Sequence, residues 1–178
     1  MKQGTKRVSE LVVSLRNFSR LDEAEIKDVD IHEGIESTLL ILHNRIKHDI
    51  LLVKDYGNLP LISCYPAQLN QVFMNIISNA IDALLEQTIQ SPQIVIHTEV
   101  ITDNRIQIQI QDNGSGIPAE LKSKIFDPFF TTKPIGQGTG LGLSISYQII
   151  EKHQGQVEVF SQPAQGTKFV ITLPIKST

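Results

Sequence analysis

Apolar residues recur at steps of three and four between residues 66 and 84. Leu69, Val72, Phe73, Ile76, Ile77, Ala80 and Leu84 fall on one side of a helix whose first turn Pro66 suits. Further on the period drops to two. In QIVIHTEV and RIQIQIQD, Ile106, Ile108 and Ile110 face one way and Gln107, Gln109 and Gln111 the other, which predicts an antiparallel hairpin with one wet face. Upstream, Asp30 and Glu33 have the spacing of a capping box, so a helix over about 31–46 follows a short strand at Val29–Ile31. DILLVKDYG and PLISC predict two short strands parted by a turn at Gly57, Asn58 and Pro60. Residues 113–140 are rich in glycine and proline, with room for a short helix around Pro118–Lys124; an irregular stretch of that length is usually functional or mobile. A helix over 140–153 and the strands QVEVF and TKFVITL complete the chain. Helices interleaved with a mainly antiparallel sheet predict an α/β two-layer sandwich with helices on one face.

Residues 6–21 stand apart. Val8, Leu11, Val12, Leu15 and Phe18 share one helical face, and the acidic stretch LDEAEIKDVD after them reads as a linker, which puts a boundary near residue 25 and divides the chain into 1–25 and 26–178. With 178 residues, 40% of them hydrophobic, the larger part can bury one sizeable core. A formal net charge of −3 without a basic run argues against a polyanion-binding surface, so nucleic acid is not an expected partner. Cys64 is the sole cysteine, which excludes an internal disulfide framework and a cysteine-based metal cage and leaves a buried, inert thiol as the expectation. MKQGTKRVSE lacks an apolar signal core and no segment approaches bilayer-crossing length, so the reading is a soluble, cytoplasmic chain.

Four stretches could carry chemistry. Asn75, Asn79 and Asp82 form a polar stripe beside the apolar one; their oxygens suit Mg²⁺ shared with phosphate, and a solvated helix face would look the same. In QDNGSGIP the strand carries Asp112 out of the sheet, Gly114 and Gly116 permit a sharp turn, and Ile117 could cover a flat ring. Asp112 could accept from an exocyclic amine, although D-N-G is also an ordinary turn. GQGTGLG has four glycines in seven positions before a helix, which exposes backbone N–H groups to an anion; flexibility or tight packing of Gly142 would also explain it. In KIFDPFFTTKP, three phenylalanines need something apolar to cover and Lys133 supplies a mobile cation, as a lid or as core packing under a loop.

Order and spacing together narrow these choices. NQVFMNIISNAIDAL, DNGSGIP, IFDPFFTTK and GQGTGLGLSI resemble the N box, first glycine box, F box and second glycine box of the ATP-binding catalytic domain of two-component sensor histidine kinases. With the closing GTKFVITLP, the resemblance covers roughly residues 26–175. It implies the Bergerat ATP-binding fold of the GHKL superfamily, with ATP and Mg²⁺ as cofactors. Asn79 takes the position of the Mg²⁺ ligand, with Asn75 one turn earlier at the phosphates. Asp112 matches the reader of the adenine amino group, with Gly114, Gly116 and Ile117 around it. Phe126, Phe129 and Phe130 match the aromatic box of the lid, and Thr132 and Lys133 follow, the lysine as a phosphate-contacting cation. Gly138, Thr139, Gly140, Leu141, Gly142 and Leu143 form the triphosphate wall, and Thr167 lies behind the adenine. Asp82 departs from the pattern, since many members carry lysine there; its carboxylate could reach the metal through water. Type II topoisomerases, mismatch-repair ATPases, heat-shock chaperones and anti-sigma kinases share the fold but place a glutamate general base four residues before the metal asparagine. Here that position is Asn75, which cannot take a proton at neutral pH, and this favours transfer to an imidazole over hydrolysis.

The family's kinases phosphorylate a histidine on a dimeric hairpin and pass the group to the receiver domain of a response regulator. His32 alone of the five histidines precedes an acidic residue, in IHEGIESTL, but the capping pattern explains Glu33 and His32 is rejected as acceptor. His43, His48, His97 and His153 look like surface or strand residues. RVSELVVSLRNFSR resembles the second helix of the hairpin, so the chain reads as a fragment that binds Mg-ATP without its own acceptor, from a full-length protein that is a homodimer.

Overall fold

Asp30 ends one element and starts another. Its carboxylate accepts a 2.8 Å hydrogen bond from the backbone N–H of His32 and so caps helix α1 (Ile31–Ile41). Strand β1 (Lys27–Val29) therefore stops two residues before the end the pattern predicts. The helix expected to reach residue 46 breaks at Leu42, and a single turn, α2 (His43–Ile46), carries on. In this computed structural model the described residues are 25–46, 50–86, 88–134 and 138–176. The helix expected over residues 6–21, the first part of its linker, His48, Gly136 and Gln137 lie outside them.

Five strands form the main sheet in the order β2 (Leu51–Tyr56), β4 (Gln93–Thr102), β5 (Arg105–Asp112), β7 (Thr167–Pro174), β6 (Gln156–Ser161). All neighbours are antiparallel except β2 and β4, which run parallel because helix α3 (Pro66–Leu85) lies in the connection between them. A second ribbon pairs β1 with β3 (Ile62–Cys64). The helices cover one face of the sheet, as predicted. Every apolar residue expected on the α3 stripe is buried, and Ile81 joins them. Ile106, Ile108 and Ile110 point into this core while Gln111 is exposed, so the alternation sets the two faces. The register then places Asp112 opposite Thr167 at the end of the central strands. Cys64 is buried, and burial pushes its thiol up to about 11, with the Asp28 charge adding to the effect. The stretch expected to hold a short helix has one 3₁₀ turn, Ala119–Leu121. Among the described residues no helix is long and apolar enough to cross a membrane.

His153 is a correction. Instead of lying at the surface it is buried at the C-terminus of helix α4 (Gly142–Lys152). Its Nε2 accepts from the Tyr65 backbone N–H at 3.1 Å, which obliges Nδ1 to carry the proton and donate to the Ile149 carbonyl at 2.7 Å. The ring thus ties α4 to the start of α3. Burial holds the imidazole below the usual histidine range. Because the unfolded chain binds the proton more readily, this group's stabilisation is complete above about pH 6.5 and is lost as pH falls towards the lower folded value. Urea unfolding of His153→Gln at pH 7.5 should show a loss of about 1–3 kcal/mol, the cost of an unpaired buried N–H. The gap to the wild-type protein should narrow on acidification, since protonation breaks the same bond. His32, by contrast, stacks on Tyr56 at 4.3 Å and bonds Thr98 Oγ1 at 2.8 Å, a packing role inside the fold.

Candidate functional site

Helix α3 sends its polar stripe to one side of the core, and a cavity of about 860 Å³ opens there. Asn75, Asn79 and Asp82 line one wall; Asp112, Gly116, Ile117 and Thr167 line the floor at the sheet end. Phe130, Thr132, Lys133, Gly138, Thr139, Gly140, Gly142 and Leu143 close the other side. Four separately weak motifs thus meet in one space.

Asp112 is 4% exposed. Burial raises the pKa of its carboxyl, while hydrogen bonds from the backbone N–H groups of Gly114, Thr167 and Asp112 itself pull the other way. The Gly114 bond is 2.8 Å long. Gly114 does not line the cavity but backs this carboxylate: a Cβ there would sit 2.8 Å from Asp112 Oδ1 and 3.0 Å from Ala83. Gly116 turns the loop at φ +71°, where a side chain would meet the Gln162 carbonyl at 2.0 Å. Ser161 completes the floor. Its Oγ accepts from the Ile117 N–H at 2.8 Å, donates to the Gly166 carbonyl at 2.8 Å and lies 2.9 Å from Thr167 Oγ1, so one hydroxyl fixes the glycine loop to β7.

At the opposite end, α4 starts at Gly142 with no side-chain cap, and Gly142 and Leu143 face the cavity. The first N–H groups of a helix lack partners within it and favour anions. Gly140 has φ +66° and passes the Phe129 backbone so closely that a Cβ would stand 2.4 Å from it. Gly142 is less constrained: a Cβ there would lie 3.4 Å from Asn75 Cγ, so its neighbour is α3 and not the sheet. The Asn75 amide donates to the Gly142 carbonyl at 2.9 Å and to Ser146 Oγ at 3.1 Å. The residue expected at the phosphates therefore also fastens the glycine wall to α3.

Phe126, Phe129 and Leu141 are not brought to the cavity wall. Phe126 turns inward to Tyr147, with ring centres 5.4 Å apart, and Leu141 packs on the core. Phe129, at φ +66°, is 71% exposed, with its ring towards solvent. Arg45, on α2, joins the wall without any motif to announce it. Its guanidinium bonds Asp82 and Ser78 Oγ, and Lys133 bonds the other oxygen of Asp82. Lys133 Nζ also lies 3.4 Å from Asn79 Oδ1. Asn79 and Asp82 thus already direct hard oxygens at one positive charge, which suits Mg²⁺. Among the described residues no group of three His, Cys, Asp or Glu side chains could hold a metal ion, so such an ion would take its remaining ligands from water and phosphate.

This arrangement has known counterparts. Residues 64–177 match the family described as histidine kinase-, DNA gyrase B-, and HSP90-like ATPase. The chain is 36% identical over 170 residues to the signal transduction histidine-protein kinase AtoS of Escherichia coli, covering 94% of this chain and 27% of AtoS. It is 30% identical over 176 residues to sporulation kinase E of Bacillus subtilis, covering 96% of this chain and 23% of that protein, so it spans about a quarter of these relatives. Among solved structures, the catalytic domain of histidine kinase ThkA superposes with a TM-score of 0.74 at 30% identity, covering 86% of this chain and 99% of that one. The chain belongs to the histidine kinase-, DNA gyrase B- and HSP90-like ATPases, and within them it is a histidine kinase catalytic domain.

Proposed function

We propose that this chain binds Mg-ATP in the cavity and transfers the γ-phosphoryl to a histidine on a dimerisation hairpin, from which a response regulator takes it. The observation that carries this is the polarity of the cavity: a buried carboxylate at one end, an uncapped helix start with Lys133 and Arg45 at the other. Asp112 would accept from the adenine amino group, Ile117 would cover the ring, and the α4 N-terminus would hold the phosphates. Asn79 would hold Mg²⁺, which when bound neutralises charge on the phosphate oxygens. Asn75 offers no general base, because an amide does not take up a proton at neutral pH, and its NH₂ donates to the Gly142 carbonyl and Ser146 Oγ. An imidazole needs none, because the lone pair of its neutral nitrogen attacks the γ-phosphorus in line as the bond to the β-γ bridging oxygen breaks and ADP leaves. Support for the last step comes from ThkA, whose structure in complex with the response regulator protein TrrA matches this chain at 26% identity with a TM-score of 0.75, covering 96% of this chain and 49% of that one.

The test supplies a matching hairpin bearing its histidine, together with γ-labelled ATP. The hairpin should acquire acid-labile label, and Asn79→Ala should prevent it. Steady phosphate release by the chain alone, with no label on the hairpin, would overturn the proposal in favour of hydrolysis.

A further inference from the structure

The charges around Asp82 are paired in a way that a nucleotide would have to undo. Oδ1 of Asp82 holds the Arg45 guanidinium and Oδ2 holds the Lys133 ammonium. These side chains come from α2, α3 and the loop before α4, and all three line the cavity. None is fully exposed: side-chain exposure is 38% for Arg45, 27% for Asp82 and 25% for Lys133. The ammonium lies between the Asp82 carboxylate and Asn79 Oδ1, two of the three hard-oxygen donors of the α3 stripe.

We infer that Lys133 holds the place of the divalent cation before nucleotide enters, and that Asp82 exchanges this ammonium for the metal when it does, so that the pocket selects the metal complex over free ATP. The inference rests on the Mg-ATP reading above. Its logic is charge balance. Asp82 brings one negative charge to the cluster, and Arg45 and Lys133 bring two positive ones. A free triphosphate entering would compete with Asp82 for both cations and would itself lie beside an anion, an unfavourable like-charge contact in a partly desolvated space. If a divalent ion arrives with the phosphates, Asp82 has a new partner, Lys133 and Arg45 can turn to phosphate oxygens, and no group is left unpaired. The same carboxylate therefore opposes metal-free ATP and favours the metal complex. Arg45 gains a role that no motif assigns: it is the second cation released to the phosphates.

Two measurements on the folded chain test this. The first is the affinity of a fluorescent ATP analogue in EDTA and in excess Mg²⁺. Asp82→Asn should tighten binding in EDTA by about tenfold, the scale of one charged hydrogen bond, and should shrink the Mg²⁺ advantage correspondingly. The second is Mn²⁺ binding without nucleotide, followed by the electron paramagnetic resonance signal of the free ion. Lys133→Met should bind Mn²⁺ about tenfold more tightly than the wild-type chain, and Lys133→Met combined with Asp82→Asn should lose the gain. An unchanged Mg²⁺ advantage in Asp82→Asn, or equal Mn²⁺ binding by wild-type and Lys133→Met chains, overturns the exchange. Absence of analogue binding by the wild-type chain in both buffers would instead overturn the Mg-ATP reading itself.

Discussion

Asp112→Asn is expected to weaken ATP binding by at least about a hundredfold while leaving the nucleotide-free fold close to its original stability. The carboxylate has two accepting oxygens. Oδ1 is engaged by the Gly114 N–H at 2.8 Å, the carboxylate also accepts from the Thr167 N–H and its own, and Asp112 lines a cavity in which a purine amino group would donate to the capacity that is left. An asparagine has one accepting oxygen. Whichever way its amide turns, an NH₂ group meets either the Gly114 N–H or the adenine amine, donor against donor, at a position that is buried from solvent. Stability should respond differently. Burial is the largest influence on this carboxyl and raises its pKa, so the charged form is held at a cost that the neutral amide does not incur.

The same residue predicts opposite pH trends for folding and binding. In the window between the ordinary aspartate value and the raised folded value, the folded chain binds the proton more readily than the unfolded one. Asp112's contribution to stability therefore grows as pH falls through that window, while protonation removes an acceptor and nucleotide affinity declines. Calorimetric titration with ATP across this range, on wild-type and Asp112→Asn chains, reads the binding trend. Unfolding of both chains without nucleotide reads the other. Wild-type affinity independent of pH, or an Asp112→Asn chain that still binds ATP within a few-fold of wild type, would remove Asp112 from the recognition of the base.

What could be read from the sequence was what depends on short-range periodicity. Helix α3 and the β4–β5 hairpin follow from the placement of Ile, Leu and Gln at steps set by 3.6 and 2 residues, and the polar stripe followed once the helix was drawn. Long-range pairings left no such trace. Arg45 sits in a short helical turn whose sequence, HNRI, is unremarkable; only the packing of α1 and α2 beside α3 brings its guanidinium to Asp82. Ser161 ends an ordinary alternating strand, and its function as a tie depends on β6 and β7 pairing at Thr167. His153 reads from the sequence as a surface or strand residue, yet its ring reaches Tyr65, 88 positions away in the chain. Phe126 and Phe129 show the converse. Their spacing resembles that of a lid, but spacing does not fix side-chain direction on an irregular segment, and one turns to Tyr147 while the other faces solvent.

Gly166→Ala is expected to destabilise the chain by about 3 kcal/mol or more and to reduce ATP binding in the fraction that remains folded. Gly166 precedes Thr167 in the G-T-x-F stretch, and only its backbone approaches the site. It lies at φ +83°, and a Cβ there would stand 2.0 Å from the Asp112 carbonyl oxygen and 2.8 Å from Asn113 Cα. Both obstacles are backbone, so neither can swing aside as a flexible side chain would. Relief requires separating β7 from β5 at the register pair Asp112↔Thr167, which also carries the Ser161 tie to the Gly166 carbonyl. The strand pairing and the carboxylate's position therefore fail together, in contrast to Asp112→Asn, which removes recognition and spares the fold. Gly142→Ala is the matched control. Its Cβ would meet Asn75 Cγ at 3.4 Å, an ordinary contact, and Gly142 does not have a positive φ, so stability should change by less than about 1 kcal/mol. Chemical denaturation of the two variants separates a glycine required by backbone geometry from one that merely lines the phosphate end. Equal, small losses in both would mean that the β5–β7 end yields to a side chain, and that the site is held by the Gly114 and Ser161 contacts alone.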